Sequence, residues 1–132
     1  RDDNYVTQIA FKDSGTMTYI KIRKRTQGTW GVWEWLCHPM VAGVEYRTVF
    51  RVGDRPVYDY LFNYGYYSTA TTVIPHGISG IIQPVSIDIT NNTQEILTTS
   101  SGMKELSFNR TNVNIKCDWN MGNVNFMMKY TK

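Results

Sequence analysis

The side chains in this sequence that could engage a ligand or a reacting bond are three tryptophans within Trp30–Trp35, a run of tyrosines from Tyr58 to Tyr67, two histidines and a scatter of carboxylates. Among the carboxylates, Glu34, Glu45, Asp54, Asp59, Asp88 and Asp118 are candidates for a glycosidase pair, which needs two carboxyl groups flanking a sugar–sugar bond. Most of them fall at turns or at strand positions that alternation turns outward. No Gly-x-Ser-x-Gly, His-Glu-x-x-His, phosphate-loop or dinucleotide motif is present. His38 precedes Pro39, and His76 stands between Pro75 and Gly77. A general base or a metal ligand needs partners at fixed spacing, and neither histidine has a carboxylate so placed. Both are expected to be turn histidines hydrogen-bonded to backbone. The expectation is a protein with no catalytic residue, no metal and no cofactor.

The aromatics carry a different chemistry. Flat apolar rings stack on the C–H faces of sugars, and an indole N–H or a phenol O–H adds a hydrogen bond. In "GTWGVWEWLC", strict strand alternation puts Trp33 and Trp35 on one face and Trp30, Val32, Glu34 and Leu36 on the other. The tryptophans would then be divided, so core or subunit packing competes with a ligand platform for each. In "RPVYDYLFNYG", Tyr58, Tyr60, Phe62 and Tyr64 alternate on one face, opposite Val57, Asp59, Leu61 and Asn63, with Tyr66 and Tyr67 following in a loop. Tyrosine offers rigid area at small entropic cost, which suits recognition. The competing reading makes that face core, with the hydroxyls reaching water. The candidate ligand-binding residues are Tyr58, Tyr60, Tyr66, Tyr67, Trp33 and Trp35.

The elements that must position these residues are strands. In "TYIKIR", Ile20 and Ile22 share one face and Lys21 and Arg23 the other; in "PVSIDIT", Val85, Ile87 and Ile89 face inward. "NVNIKCDW" has an inward set of Val113, Ile115, Cys117 and Trp119, and the last strand turns Val124, Phe126, Met128 and Tyr130 to one side. Gly-, Asn- and Ser-containing turns separate these runs, and no stretch shows capped helical periodicity. The fold class expected is all-β, an antiparallel β-sandwich or barrel-like domain with no substantial helix.

At 132 residues, 42% hydrophobic and 19% charged, the chain can bury a core without disulfides or metal. Composition shifts across residues 38–43, which suggests an N-terminal β segment (1–40) packing on a C-terminal sandwich (45–132) or on a copy of itself. The opening Arg1, in place of Met, is what a fragment of a longer protein would show. No apolar run is long enough to span a membrane, and no signal-peptide pattern opens the chain. Cys37 and Cys117 match no metal or redox spacing; two buried free thiols are expected, with a long-range disulfide as the alternative. The net charge of +3 gathers in "KIRKR", which suits an anionic-glycan or nucleic-acid contact, or a solvated strand that resists edge pairing.

"TYIKIRKRTQGTWGVWEWL" (18–36) resembles the knob-like repeats of phage tail fibres and pyocin fibres. "RPVYDYLFNYG", "TVIPHGISGI" and the closing "VNFMMKYTK" are similar to the C-terminal head of phage tail-fibre and baseplate receptor-binding proteins. The patches cover about two-thirds of the chain and occur in the same order, departing from the pattern at Trp35 and Cys37-His38 and in the aromatic-rich Tyr64-Gly65-Tyr66-Tyr67. The resemblance implies a non-enzymatic, homotrimeric tail-tip domain in the virion, assembled in the host bacterial cytoplasm. Its implied partners are a bacterial cell-surface polysaccharide or teichoic acid and other tail or baseplate proteins. Neither nucleic acid nor membrane insertion is implied. The alternative is a trimerisation or attachment domain of a fibre or baseplate with no ligand of its own.

Overall fold

A computed structural model describes residues 4–13, 15, 17–66, 70–90, 102–118 and 122–132, with the side chain of Tyr66 outside that set. The described residues form eleven strands and no helix: β1 (Tyr5–Asp13), β2 (Thr18–Thr26), β3 (Thr29–Trp30), β4 (Glu34–Cys37), β5 (Glu45–Val52), β6 (Arg55–Tyr66), β7 (Thr72–Pro75), β8 (Gln83–Thr90), β9 (Met103–Phe108), β10 (Asn112–Cys117) and β11 (Gly122–Thr131). The chain is all-β, as its period-two alternation and short turns require. Two of those turns show why. Gln27 and Gly28 both take positive φ between the paired Thr26 and Thr29, and Gly53 does so between Val52 and Arg55. Such two-residue loops match the right-handed twist of the strands they join.

The strands make a large sheet in the order β1-β2-β4-β5-β6-β11-β8, with β3 paired to β2, and a small sheet β7-β10-β9. The pairings are antiparallel except that of β4 with β5, where Trp35 lies opposite Thr48 in parallel. The small sheet packs on one face of β6, β11 and β8. Between them lies the core, made of Ile74, Ile81, Ile89, Val113, Ile115, Cys117, Val124, Phe126, Met128 and Tyr130. The alternate residues of β11 are its spine, each at most 1% exposed.

A row of residues crosses the whole large sheet on this same face. Ile9 pairs with Ile22, Ile22 with Glu34, and Glu34 binds Arg47; Arg47 pairs with Tyr58, and Tyr58 with Tyr130. At one end Tyr130 is fully buried, and at the other Ile9 is 51% exposed. The inner face is therefore covered only over β6, β11 and β8. Over β1, β2 and β4 it leaves Tyr5, Phe11 and Leu36 exposed as well. Among the described residues of 4–44, none is buried. The N-terminal strands join the head edge to edge, through β4 and β5, rather than by packing on its face.

Two expectations change. Val85 does not belong to the inward set of β8: a bulge opposite Lys129 and Tyr130 takes it out of register, and it is exposed. Both cysteines are free, but Cys37 is half-buried and only Cys117 is in the core. Burial, followed by the charge of Asp118, raises the Cys117 thiol above its usual pKa. Trp119 lies outside the described residues.

The asymmetry of cover predicts where the chain is sensitive. Phe126→Ala should lower unfolding stability by about 3–5 kcal/mol, as expected for emptying a packed aromatic site. In the dilute, isolated chain Ile9→Ala should change it by less than about 0.5 kcal/mol, because the side chain is already in water. Urea denaturation followed by circular dichroism checks both.

Candidate functional site

The candidate site lies on the outer face of the N-terminal strands, where the tryptophans meet the basic residues of β2. Alternation in β2 places Lys21 and Arg23 on this face, opposite Ala10 and Gln8 of β1. The Arg23 guanidinium carbon is 4.5 Å from the ring centroids of both Trp30 and Trp33, and the Lys21 ammonium is 4.1 Å from that of Trp35. All three indoles therefore occupy one face. The division expected from strict alternation fails because the strand is interrupted. β3 ends at Trp30, β4 begins at Glu34, and between them the Gly31 N–H donates to the Lys24 carbonyl at 2.8 Å. The irregular link from Gly31 to Trp33 shifts the parity, bringing Trp33 to the side of Trp30. Trp30 is 38% exposed, and Trp33 and Trp35 are half-buried.

From Trp35 the aromatic surface continues across the seam into the head. Tyr46 meets Trp35 edge-on at 5.6 Å and stacks on His38 at 4.3 Å. His38 Nε2 lies 3.0 Å from Asp59 Oδ2, and its Nδ1 is 3.1 Å from the Pro39 carbonyl oxygen. Lys129 donates to the other Asp59 oxygen at 2.8 Å. Burial alone would raise the Asp59 carboxyl, but the hydrogen bonds and charges of His38 and Lys129 outweigh it and hold the group below its ordinary value of 3.8.

On the opposite face of the same strands is a groove of about 700 Å³ lined by Ile22, Lys24, Val32, Leu36 and Val49, with Glu34, Arg47 and Arg51. Glu34 receives Arg47 Nε at 2.9 Å and both oxygens receive Arg51, at 2.6 and 2.7 Å. Here too burial, which would raise the Glu34 carboxyl, is outweighed by the two guanidinium groups, and the carboxyl is held below its usual range.

The residues picked out from the sequence are thus dispersed. Trp33 and Trp35 are brought together on the outer face, and Trp30 joins them. Tyr58 and Tyr60 are half-buried and pack against the core, Tyr58 stacked on Tyr130 at 5.9 Å. Their register with Tyr130 and Met128 puts them on the covered face, so they do not form a surface with the tryptophans. Tyr66 pairs through its backbone with Gly122, and Tyr67 lies outside the described residues. His76 is a backbone-bonded turn histidine, as expected: Nδ1 accepts from the Ile78 N–H at 3.1 Å and Nε2 donates to the Asn109 carbonyl at 3.2 Å. His38 departs from that expectation through its carboxylate partner, 21 residues away in sequence. Glu34, Glu45, Asp59 and Asp118 are all held in ion pairs. Tyr46 was not singled out, and Lys21 and Arg23 were read only as members of the basic run, apart from the tryptophans. The signal in the sequence was the parity of "KIRKR", which fixes a row of cations on one side of β2.

No family model matches the chain, and no curated protein matches it. Among solved structures it is similar to an N-truncated R2-type pyocin tail fibre, at 10% identity and a TM-score of 0.44, over 97% of this chain and 78% of that one.

The Asp59 cluster gives a signed pH dependence. A carboxyl whose pKa is lowered by folding stabilises the fold above its unfolded value and loses that contribution as pH falls through the folded value. Asp59→Asn should therefore destabilise the protein at pH 7 by about 1.5–3 kcal/mol, the range for hydrogen bonds to a charged group. The gap to wild type should begin to narrow as pH drops below the unfolded-state value of about 4, and close only below the lower folded value, where the native carboxylate is itself protonated. Urea midpoints across that pH range measure it.

Proposed function

We propose that this chain is a non-enzymatic, tail-fibre-type tip domain that recognises a bacterial cell-surface glycan, a polysaccharide or a teichoic acid, on the outer face of its N-terminal strands. The observation that carries the reading is the gathering of Trp30, Trp33 and Trp35 on one accessible face, fixed in place by Arg23 and Lys21. Partly exposed indoles gathered on one sheet face suit stacking on sugar rings, and pinned side chains lose little entropy when a ligand arrives. The likeness of "TYIKIRKRTQGTWGVWEWL" to fibre knob repeats points the same way. Shallow sites of this kind bind weakly one at a time, so several copies on one particle would raise the effective affinity.

The uncovered inner face supports self-association into a homotrimer within a virion tail. Tyr5, Ile9, Phe11 and Leu36 lie on a face that the head covers with a second sheet and the N-terminal strands leave open. Contiguous apolar surface of that kind marks an interaction site, and a second copy of the chain or another tail or baseplate protein would cover it. The same face favours the second reading, an attachment or trimerisation domain without a ligand.

The two readings separate by experiment. Light scattering of the purified chain should give a trimer, and a strict monomer at micromolar concentration would remove the trimeric arrangement. Adsorption of the domain to host cells should fall at least about tenfold in Trp30→Ala and Trp33→Ala, with the oligomeric state unchanged, since each substitution removes one stacking surface. Adsorption that is absent from the wild type, with the trimer intact, leaves the scaffold reading standing.

A further inference from the structure

On the outer face of β1 and β2, Lys21 and Arg23 carry positive charge that no carboxylate among the described residues pairs with. Lys21, Arg23 and Arg25 project from β2, and Lys12 from β1. Across the ladder, Arg23 and Lys21 face Gln8 and Ala10, neither of which is acidic. Asp13 has the opposite parity and accepts from the Gly15 N–H at 2.8 Å. Among the described residues, the carboxylate met next on this face is Asp59, which His38 and Lys129 already engage. The arginines of the inner face differ in this respect, because Glu34 binds both Arg47 and Arg51.

Contact with an indole holds a cation in place without neutralising it, because the ring contributes a quadrupole and no net charge. Arg23 is held by both indoles, and its Nε donates to Gln8 Oε1 at 2.9 Å. Its two terminal nitrogens have no hydrogen-bond acceptor among the described residues, and neither has the Lys21 ammonium. A guanidinium fixed in this way presents a planar donor fork, which matches a carboxylate or a phosphate. Lys21 sits two residues along the strand on the same face, roughly 7 Å away.

We infer that this row, Trp30–Arg23–Trp33 followed by Lys21–Trp35, is a binding site for an acidic glycan: its anionic groups pair with Arg23 and Lys21 while its sugar rings stack on the indoles. The inference rests on the glycan-binding reading above and narrows it to glycans bearing carboxylate or phosphate.

The test is an array of purified bacterial surface polysaccharides sorted as neutral, carboxylated or phosphodiester-linked, with single-stranded DNA alongside, probed with the intact chain and its variants. Binding confined to the acidic classes, weakened about tenfold or more by Arg23→Gln and by Lys21→Gln, is the expected result. It should also weaken as salt rises from 50 to about 500 mM, as an exposed ion contact does. Arg23→Lys, which keeps the charge but not the fork, should recover part of the loss, and unchanged circular dichroism shows that each variant is folded. The carboxylated and phosphodiester arms tell which anion is the ligand. Equal binding of neutral glycans, unaffected by Arg23→Gln, overturns the acidic preference and leaves the glycan reading intact. Binding to none of the glycans overturns both. DNA bound as tightly as the best glycan overturns the inference in favour of nucleic acid.

Discussion

The structure depends on the seam between β4 and β5. It is the one parallel pairing between the named strands, and a single residue pair, Trp35 and Thr48, defines it. So short a parallel contact supplies few backbone hydrogen bonds, and side chains reinforce it from both faces. On the inner side Glu34 of β4 draws in Arg47 and Arg51 of β5. On the outer side Trp35 packs on Tyr46, Tyr46 on His38, and His38 reaches Asp59 of β6. Thr48, 1% exposed, donates from its hydroxyl to the Val57 carbonyl and ties β5 to β6 at the same level. Half-buried ion pairs with several hydrogen bonds are more than surface decoration, since removing one partner leaves a desolvated charge.

Because the seam makes the sheet continuous, one face of it passes through two environments. Over β6, β11 and β8 it is roofed by the small sheet and becomes a core. Over β1, β2 and β4 the same parity continues with the same kind of residue, isoleucine, phenylalanine and leucine, and no roof. An aromatic–cation surface of a different kind occupies the reverse side of these strands. The N-terminal strands thus present an apolar face on one side and an aromatic–cation face on the other. This polarity follows from parity alone once the register across the seam is set.

Some of this was legible in the residues themselves. The alternation Val124, Phe126, Met128, Tyr130 identifies the spine of the core, and Val113, Ile115, Cys117 identifies the strand that faces it. His76 between Pro75 and Gly77 reads as a turn histidine and is one. The tyrosines of β6 could not be assigned from the strand, because both of its faces carry large side chains. The opposite face, with Val57 at 5% and Asp59 at 8% exposure, is buried as well, under the segment that follows β4. Local pattern has no term for a second layer arriving from elsewhere in the chain.

The sequence by itself determined the all-β class, the turns and the alternation within each uninterrupted strand, because side-chain direction there is a property of the backbone and reverses at every residue. Only the tertiary structure decided where that alternation breaks. The irregular Gly31–Trp33 link and the bulge at Val85 each change parity, and neither break is marked by composition. It also decided what each face meets, since register is set by pairing between distant segments. Hence the three tryptophans that alternation divides stand together beside Arg23 and Lys21, and Tyr58 and Tyr60, whose face the strand alone left open, lie against the core.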